Sequence, residues 1–163
     1  TNTEQAYWMT LQKIVQQATD DGDDVIIVCD EDHLFTKSYS RECLIRHIVQ
    51  GHQLDTRILC GGIDDFDTAI PLTQDKFWVR AFKSCSFIVL YQSVFDRILK
   101  EPLSNDSTIE SLYREITSNK LVMFPFITKR EVSIKFNSKR LYPSHEEISF
   151  RLAKISQIAE SSD

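Results

Sequence analysis

Two carboxylates separated by a single residue, Asp30 and Asp32, close an apolar run over residues 25–29. The β-branched residues of that run predict a buried strand, which puts both carboxylates at its tip. If the chain turns at Glu31, their oxygens can meet one hard cation such as magnesium or manganese. A cation held there can grip a diphosphate and take up charge on a leaving group. The pair can equally cap the next helix or face solvent, because D-x-D alone is a short motif. His33 and His145 stand alone, without ligand spacing, and read as surface or capping residues as readily as metal ligands.

The elements that must hold this tip follow from the apolar periodicity. Residues 3–19 predict an amphipathic helix with Tyr7, Trp8, Leu11, Ile14, Val15 and Ala18 on one stripe. The acidic turn over 20–24, with Gly22 in the left-handed position, stops it. Strand 25–29 is apolar on both faces, the pattern of a central strand. A helix over about 38–50 comes next, with Cys43, Leu44 and Ile48 inward, possible inward placement of His47, and Gly51 as its stop. Strand 57–60 runs into Gly61 and Gly62 and a long acidic loop to about Lys76. Strand 86–91, helix 92–100, a helix from Asn105 or Asp106 to about Ser118, and strand 121–124 complete the alternation. Residues 128–141 are polar and basic, without a clear period. Ser144 and Glu147 form a capping box that opens a last helix carrying Ile148, Leu152, Ile155 and Ala159. This order predicts an α/β fold in three layers, with a mostly parallel sheet flanked by helices. One domain over residues 1–142 is expected, with an amphipathic helix over 143–163 packed on it.

Length and composition narrow the classes of function. The chain has 163 residues, 42% hydrophobic and 26% charged, which suits one globular core. A formal charge of −5 argues against nucleic acid as the main partner. No apolar run approaches the roughly 20 residues of a bilayer span. Cys29, Cys43, Cys60 and Cys85 lie far apart, with no CxxC pair, and read as small buried hydrophobes in a reducing, cytoplasmic setting.

Several stretches together resemble GT-A fold nucleotide-sugar glycosyltransferases, in particular bacterial glycan-assembly enzymes. They are the helix carrying Tyr7 and Trp8, the D-x-D of Asp30 and Asp32 continuing through His33 to Phe35, and Gly61 to Phe66. Ala69 to Pro71, Phe77 with Trp78, the strand over 86–91, and residues 119–126 extend the likeness over about residues 4–130. The resemblance implies a D-x-D that binds Mn2+ or Mg2+ through Asp30 and Asp32, with Asp30 and Glu31 toward the nucleotide-sugar donor. It further implies a carboxylate that deprotonates a carbohydrate acceptor, for which Asp106, Asp64 and Asp65 are the candidates, Asp106 also reading as an N-cap. Gly61, Gly62 and Trp78 would then border the acceptor; the alternative roles are a core position for Trp78 and a turn for the glycines.

Haloacid-dehalogenase-type phosphatases also place D-x-D after a strand, with the first aspartate as nucleophile. Here His33 and Leu34 replace that family's continuation, Lys120 is the one late lysine in a plausible place, and Asp64 and Asp65 come too early. A third expectation is a non-catalytic remnant or interaction domain of the glycosyltransferase fold. The D-x-D at residue 30 leaves no room for the nucleotide-binding half that such enzymes carry before it. An exposed sheet edge is therefore expected, covered in a homodimer or by another association.

Overall fold

The structure, a computed structural model, describes residues 3–131 and 145–161. Ser144 of the expected capping box, and most of the basic stretch 128–141, lie outside the described residues. Helix α1 (Thr3–Asp21) buries Trp8, Leu11, Val15 and Ala18, whose spacing of three and four residues puts them on one face. Ile14 falls off that stripe and is exposed. Gly22, at φ 75°, turns the chain, and the Asp23 N–H donates back to the Ala18 carbonyl at 2.9 Å.

The chain then forms β1 (Val25–Cys29), β2 (His33–Phe35), α2 (Arg41–Gln53) and β3 (Ile58–Cys60). Short β4 (Asp65–Phe66) precedes the hairpin of β5 (Ala69–Thr73) and β6 (Lys76–Val79). Then come β7 (Phe82–Lys83), β8 (Phe87–Tyr91), α3 (Gln92–Lys100) and α4 (Ile109–Ile116). Strands β9 (Lys120–Met123) and β10 (Thr128–Arg130) and helix α5 (His145–Ser161) follow.

The main sheet has six strands in the order β1-β8-β3-β9-β6-β5. It is mixed, which corrects the expected three-layer fold with a mostly parallel sheet. Among the described residues only β3 and β9 pair in parallel, and the pairings β1–β8, β8–β3, β9–β6 and β6–β5 are antiparallel. The physical reason lies in residues 61–91. The stretch expected as a long acidic loop folds into hairpin strands, so the chain returns directly instead of through crossover helices. Its carboxylates and Pro71 mask a short alternation in β5.

Strand β1 lies at the sheet edge, not at its centre. Ile26 and Val28 pack into the core, but Ile27 is 42% exposed. The middle of the sheet is β3 and β9, and β8, buried along its whole length, lies between β1 and β3. The registers nonetheless make β1, β3 and β9 run in one direction, so their carboxyl ends share one rim of the sheet.

Helices cover the two faces unequally. Trp8, Phe95, Leu112, Ile148 and Leu152 join Ile58, Ile88, Leu90 and Val122 in one core, so α1, α3, α4 and α5 share that face. On the other face Leu44 and Ile48 of α2 pack over Leu59, Val89, Tyr91 and Met123. Gly51, expected to end α2, sits inside it, because a Cβ there would meet the Tyr91 hydroxyl at 2.3 Å. The cap of α4 is Thr108, in a reciprocal pair with Ser111, and not Asn105 or Asp106. Cys60 and Cys85 are buried as expected, whereas Cys43 is half-buried and Cys29 exposed; all four are free thiols. Among the described residues no helix is long and apolar enough to cross a membrane.

Candidate functional site

The acidic tip is built from two directions. Strand β1 ends with Asp30, whose N–H donates to the Ser86 carbonyl at 2.8 Å. The chain then turns tightly, and the His33 N–H donates to the Asp30 carbonyl at 3.2 Å. His33 Nδ1 lies 2.7 Å from that same carbonyl, so this ring nitrogen carries the proton. The ring also packs edge-on against Phe35, so His33 braces the turn.

From the other direction comes β10, which pairs with β2 so that Arg130 stands opposite His33. The Arg130 guanidinium donates through Nη1 to both oxygens of Asp32, at 2.9 and 2.7 Å. Nη2 donates to Asp30 at 3.2 Å and also reaches the Ser84 hydroxyl. Nε lies 3.6 Å from Asp64, completing a cluster of three carboxylates around one cation. Burial works against the Arg130 charge, yet Asp32, Asp64 and Asp30 outweigh it and raise the Arg130 pKa. Burial likewise pushes the Asp64 carboxyl above its usual range, and Arg130 and Ser84 offset this only in part. Beneath the cluster, burial and the Asp30 charge push the Tyr7 phenol up to about 12.

Glycines 61 and 62 make this convergence possible. The Gly61 N–H donates to Phe87 at 2.9 Å, and its carbonyl accepts from Ile127 at 2.9 Å. A Cβ on Gly62 would stand 2.2 Å from the Thr128 carbonyl oxygen. The two glycines therefore let the chain before Arg130 pass close over the end of β3.

The remaining sequence candidates are dispersed. Asp65 accepts from Arg151 Nη1 at 2.9 Å and ties α5 to β4. Asp106 is exposed in the turn before α4, and among the described residues no hydrogen bond or ion pair links it to the Asp30 cluster. Glu31 is exposed at the tip of the turn. Trp78 pairs with Leu121, and its indole N–H donates to the Ser118 carbonyl at 2.7 Å, at the amino end of β9. That is the rim opposite the acidic tip. Lys120 starts the same strand, fully buried, with its ammonium on the Thr117 carbonyl. His145 packs its ring on Phe126 at 5.1 Å, and burial lowers its pKa.

Sequence reasoning missed Arg130 and Ser84. No spacing signal marks them, since Arg130 lies in a basic stretch without period and Ser84 is a loop serine at φ 49°. A groove of about 940 Å3 lies at the opposite rim, lined among others by Asp24, His52, Asp55, Arg57, Tyr91 and Asn119. Among the described residues no ion pair joins Asp24 or Asp55 to a cation there, whereas the acidic tip gathers three carboxylates on Arg130.

The donor set at the tip is all carboxylate oxygen, the type that suits Mg2+ or Mn2+. Among the described residues, however, no three His, Cys, Asp or Glu side chains stand ready to hold a metal ion. The carboxylates are turned onto Arg130 instead. Asp30, Asp32 and Asp64 thus fit the cation in kind, and a guanidinium occupies their shared focus. Comparison with family models gave no match, and comparison with curated proteins gave none.

Proposed function

We propose that the chain is a glycosyltransferase-like domain, in which a D-x-D-bound divalent cation holds a nucleotide diphosphate sugar for transfer to a carbohydrate hydroxyl. The observation that carries this reading is the convergence of Asp30 and Asp32 with Asp64 at the shared carboxyl-end rim of β1 and β3. The common direction of β1 and β3 in this mixed sheet brings the three carboxylates to one rim.

Asp30 and Asp32 would hold Mn2+ or Mg2+, which supplies Lewis-acid stabilisation of the leaving diphosphate. Asp64 is the best placed of the three candidate bases. Its raised pKa suits a carboxylate that must accept a proton from an acceptor hydroxyl. Asp65 is engaged by Arg151, and Asp106 lacks a link to the cluster. The phosphatase reading gains no support, because Lys120 lies buried at the far end of β9 from Asp30. Release of nucleoside diphosphate from a panel of nucleotide sugars, followed by NMR with Mn2+ and simple sugar acceptors, tests the reading. Turnover by the wild type and none by Asp32→Asn supports it. Absence of turnover with every donor counts against catalysis by this chain.

A second reading, a non-catalytic interaction domain, is favoured by Arg130 already occupying the focus of the tip carboxylates. The outer edge of β1 supports an association in either case. Among the described residues β1 pairs only with β8, and it carries Ile27 exposed with no proline or charged residue inside the strand. A homodimer or another partner covering that edge is the expected assembly. Light scattering that gives a monomer at high concentration would rule out the homodimer.

A further inference from the structure

Helix α3 starts without a side-chain cap at its N-cap residue, Tyr91. The Gln92 N–H donates to the Asp24 carbonyl at 2.8 Å, whereas among the described residues no loop carbonyl or side chain takes the N–H groups of Ser93 and Val94. Those two donors, with the positive end of the helix behind them, favour an anion. The turn opens into the groove of about 940 Å3, which Tyr91, Gln92 and Ser93 line. Two further groups in the groove wall lack a partner. The Tyr91 N–H donates to the Arg57 carbonyl at 3.1 Å, which puts Arg57 beside the start of α3. Among the described residues its guanidinium enters no ion pair and no hydrogen bond. Thr56, next to it in the chain, is 3% exposed, and its buried hydroxyl has no hydrogen-bond partner among the described residues. An unpaired buried hydroxyl is costly, so a ligand that meets it gains. Val25, Ile48 and Val49 supply an apolar wall, and a concavity of this size suits a small molecule. Asp24 and Asp55 also border the groove, and they disfavour a ligand with negative charge at both ends.

We propose that this groove binds a phosphomonoester with an apolar body: the phosphate sits on the amino end of α3 between Ser93 and Arg57, and the body lies along Val25, Ile48 and Val49. A guanidinium with paired donors and two backbone N–H groups match phosphate oxygens in number and charge. Bare phosphate leaves the apolar wall unused, and a neutral apolar molecule leaves the helix end and Arg57 unused. The site lies at the rim opposite Asp30 and Asp32, so it does not rest on the metal–diphosphate reading.

Phenyl phosphate is the probe, titrated into the isotope-labelled full chain and followed by NMR, with phenol and inorganic phosphate as its two halves. It should shift the Ser93 and Val94 amide signals to saturation and bind about tenfold more tightly than either half. Arg57→Met removes a charge-assisted contact and should weaken binding about tenfold. Thr56→Val keeps nearly the same shape, removes the unpaired hydroxyl and should weaken binding about fivefold. Neither side chain holds a polar partner within the fold, so both variants are expected to fold, and their melting temperatures check it. Unchanged affinity in either variant, or phenol binding as tightly as phenyl phosphate, overturns the proposal. Inorganic phosphate that binds as tightly as phenyl phosphate overturns the apolar body. Signals that shift elsewhere while Ser93 and Val94 stay in place overturn the site itself.

Discussion

Arg130 and Asp32, 98 residues apart in sequence, form a two-pronged ion pair in which one nitrogen serves both carboxylate oxygens at 2.9 and 2.7 Å. The pair joins β10 to the turn after β1, so the acidic tip is a tertiary feature of the fold. Asp32→Asn keeps the shape of the side chain and removes half of the attraction. Because both partners are partly exposed, a loss of about 1 kcal/mol is expected. Urea denaturation at low salt checks it, and the loss shrinks as salt is added.

Gly62→Ala acts on the same junction from below. The new methyl would sit 2.2 Å from the Thr128 backbone carbonyl, which no side-chain rotation can relieve. Either β10 shifts or β3 bends. The expected cost is about 2 kcal/mol or more, in the range of overpacked cores. Chemical denaturation gives the stability, and a weakened Arg130–Asp32 pair appears as a smaller salt dependence than in the wild type.

Gly51 poses a different case, because the obstacle is a side chain. An alanine Cβ would meet the Tyr91 hydroxyl at 2.3 Å, and that hydroxyl donates to the Ile48 carbonyl at 2.7 Å. Gly51→Ala therefore destabilises despite the better helix propensity of alanine. Tyr91→Phe removes the clashing oxygen. In the double variant the losses should fall short of their sum by about 1 kcal/mol, a coupling that a double-mutant cycle measures.

His47 supplies the pH dependence. It is 2% exposed, its Nδ1 lacks a partner among the described residues, and burial followed by the charge of Lys76 lowers its pKa to about 4. Asp75 pulls in the opposite direction and Arg46 in the same one. The unfolded chain takes up this proton near the ordinary value of about 6.5. Between about 6.5 and 4 the unfolded state therefore binds more protons, and stability falls as pH falls through that window. The contribution is on the order of 3 kcal/mol. Urea midpoints from pH 7 to pH 4 should drop less in His47→Gln than in the wild type.

The helices were legible in the sequence because their apolar stripes repeat, as Trp8, Leu11, Val15 and Ala18 do in α1. Strand direction was not. The run over 25–29 is apolar on both faces, yet it forms an edge strand, and composition alone does not reveal which neighbours a strand will have. The β5–β6 hairpin was hidden by the charges around it. At the site, Asp30 and Asp32 could be read from local spacing, and Asp64 was among the candidates. Arg130 could not, since a single arginine gains meaning only when β10 pairs with β2.

The central claim is that Asp30 and Asp32 hold a divalent cation that grips a nucleotide diphosphate. Thermal denaturation of the chain with Mn2+ and a panel of nucleoside diphosphates, each alone and combined, tests it most directly. The account predicts a rise in Tm with Mn2+ plus at least one nucleotide, larger than with either alone and absent in Asp32→Ala. No shift with any combination, or an equal shift in Asp32→Ala, would contradict it.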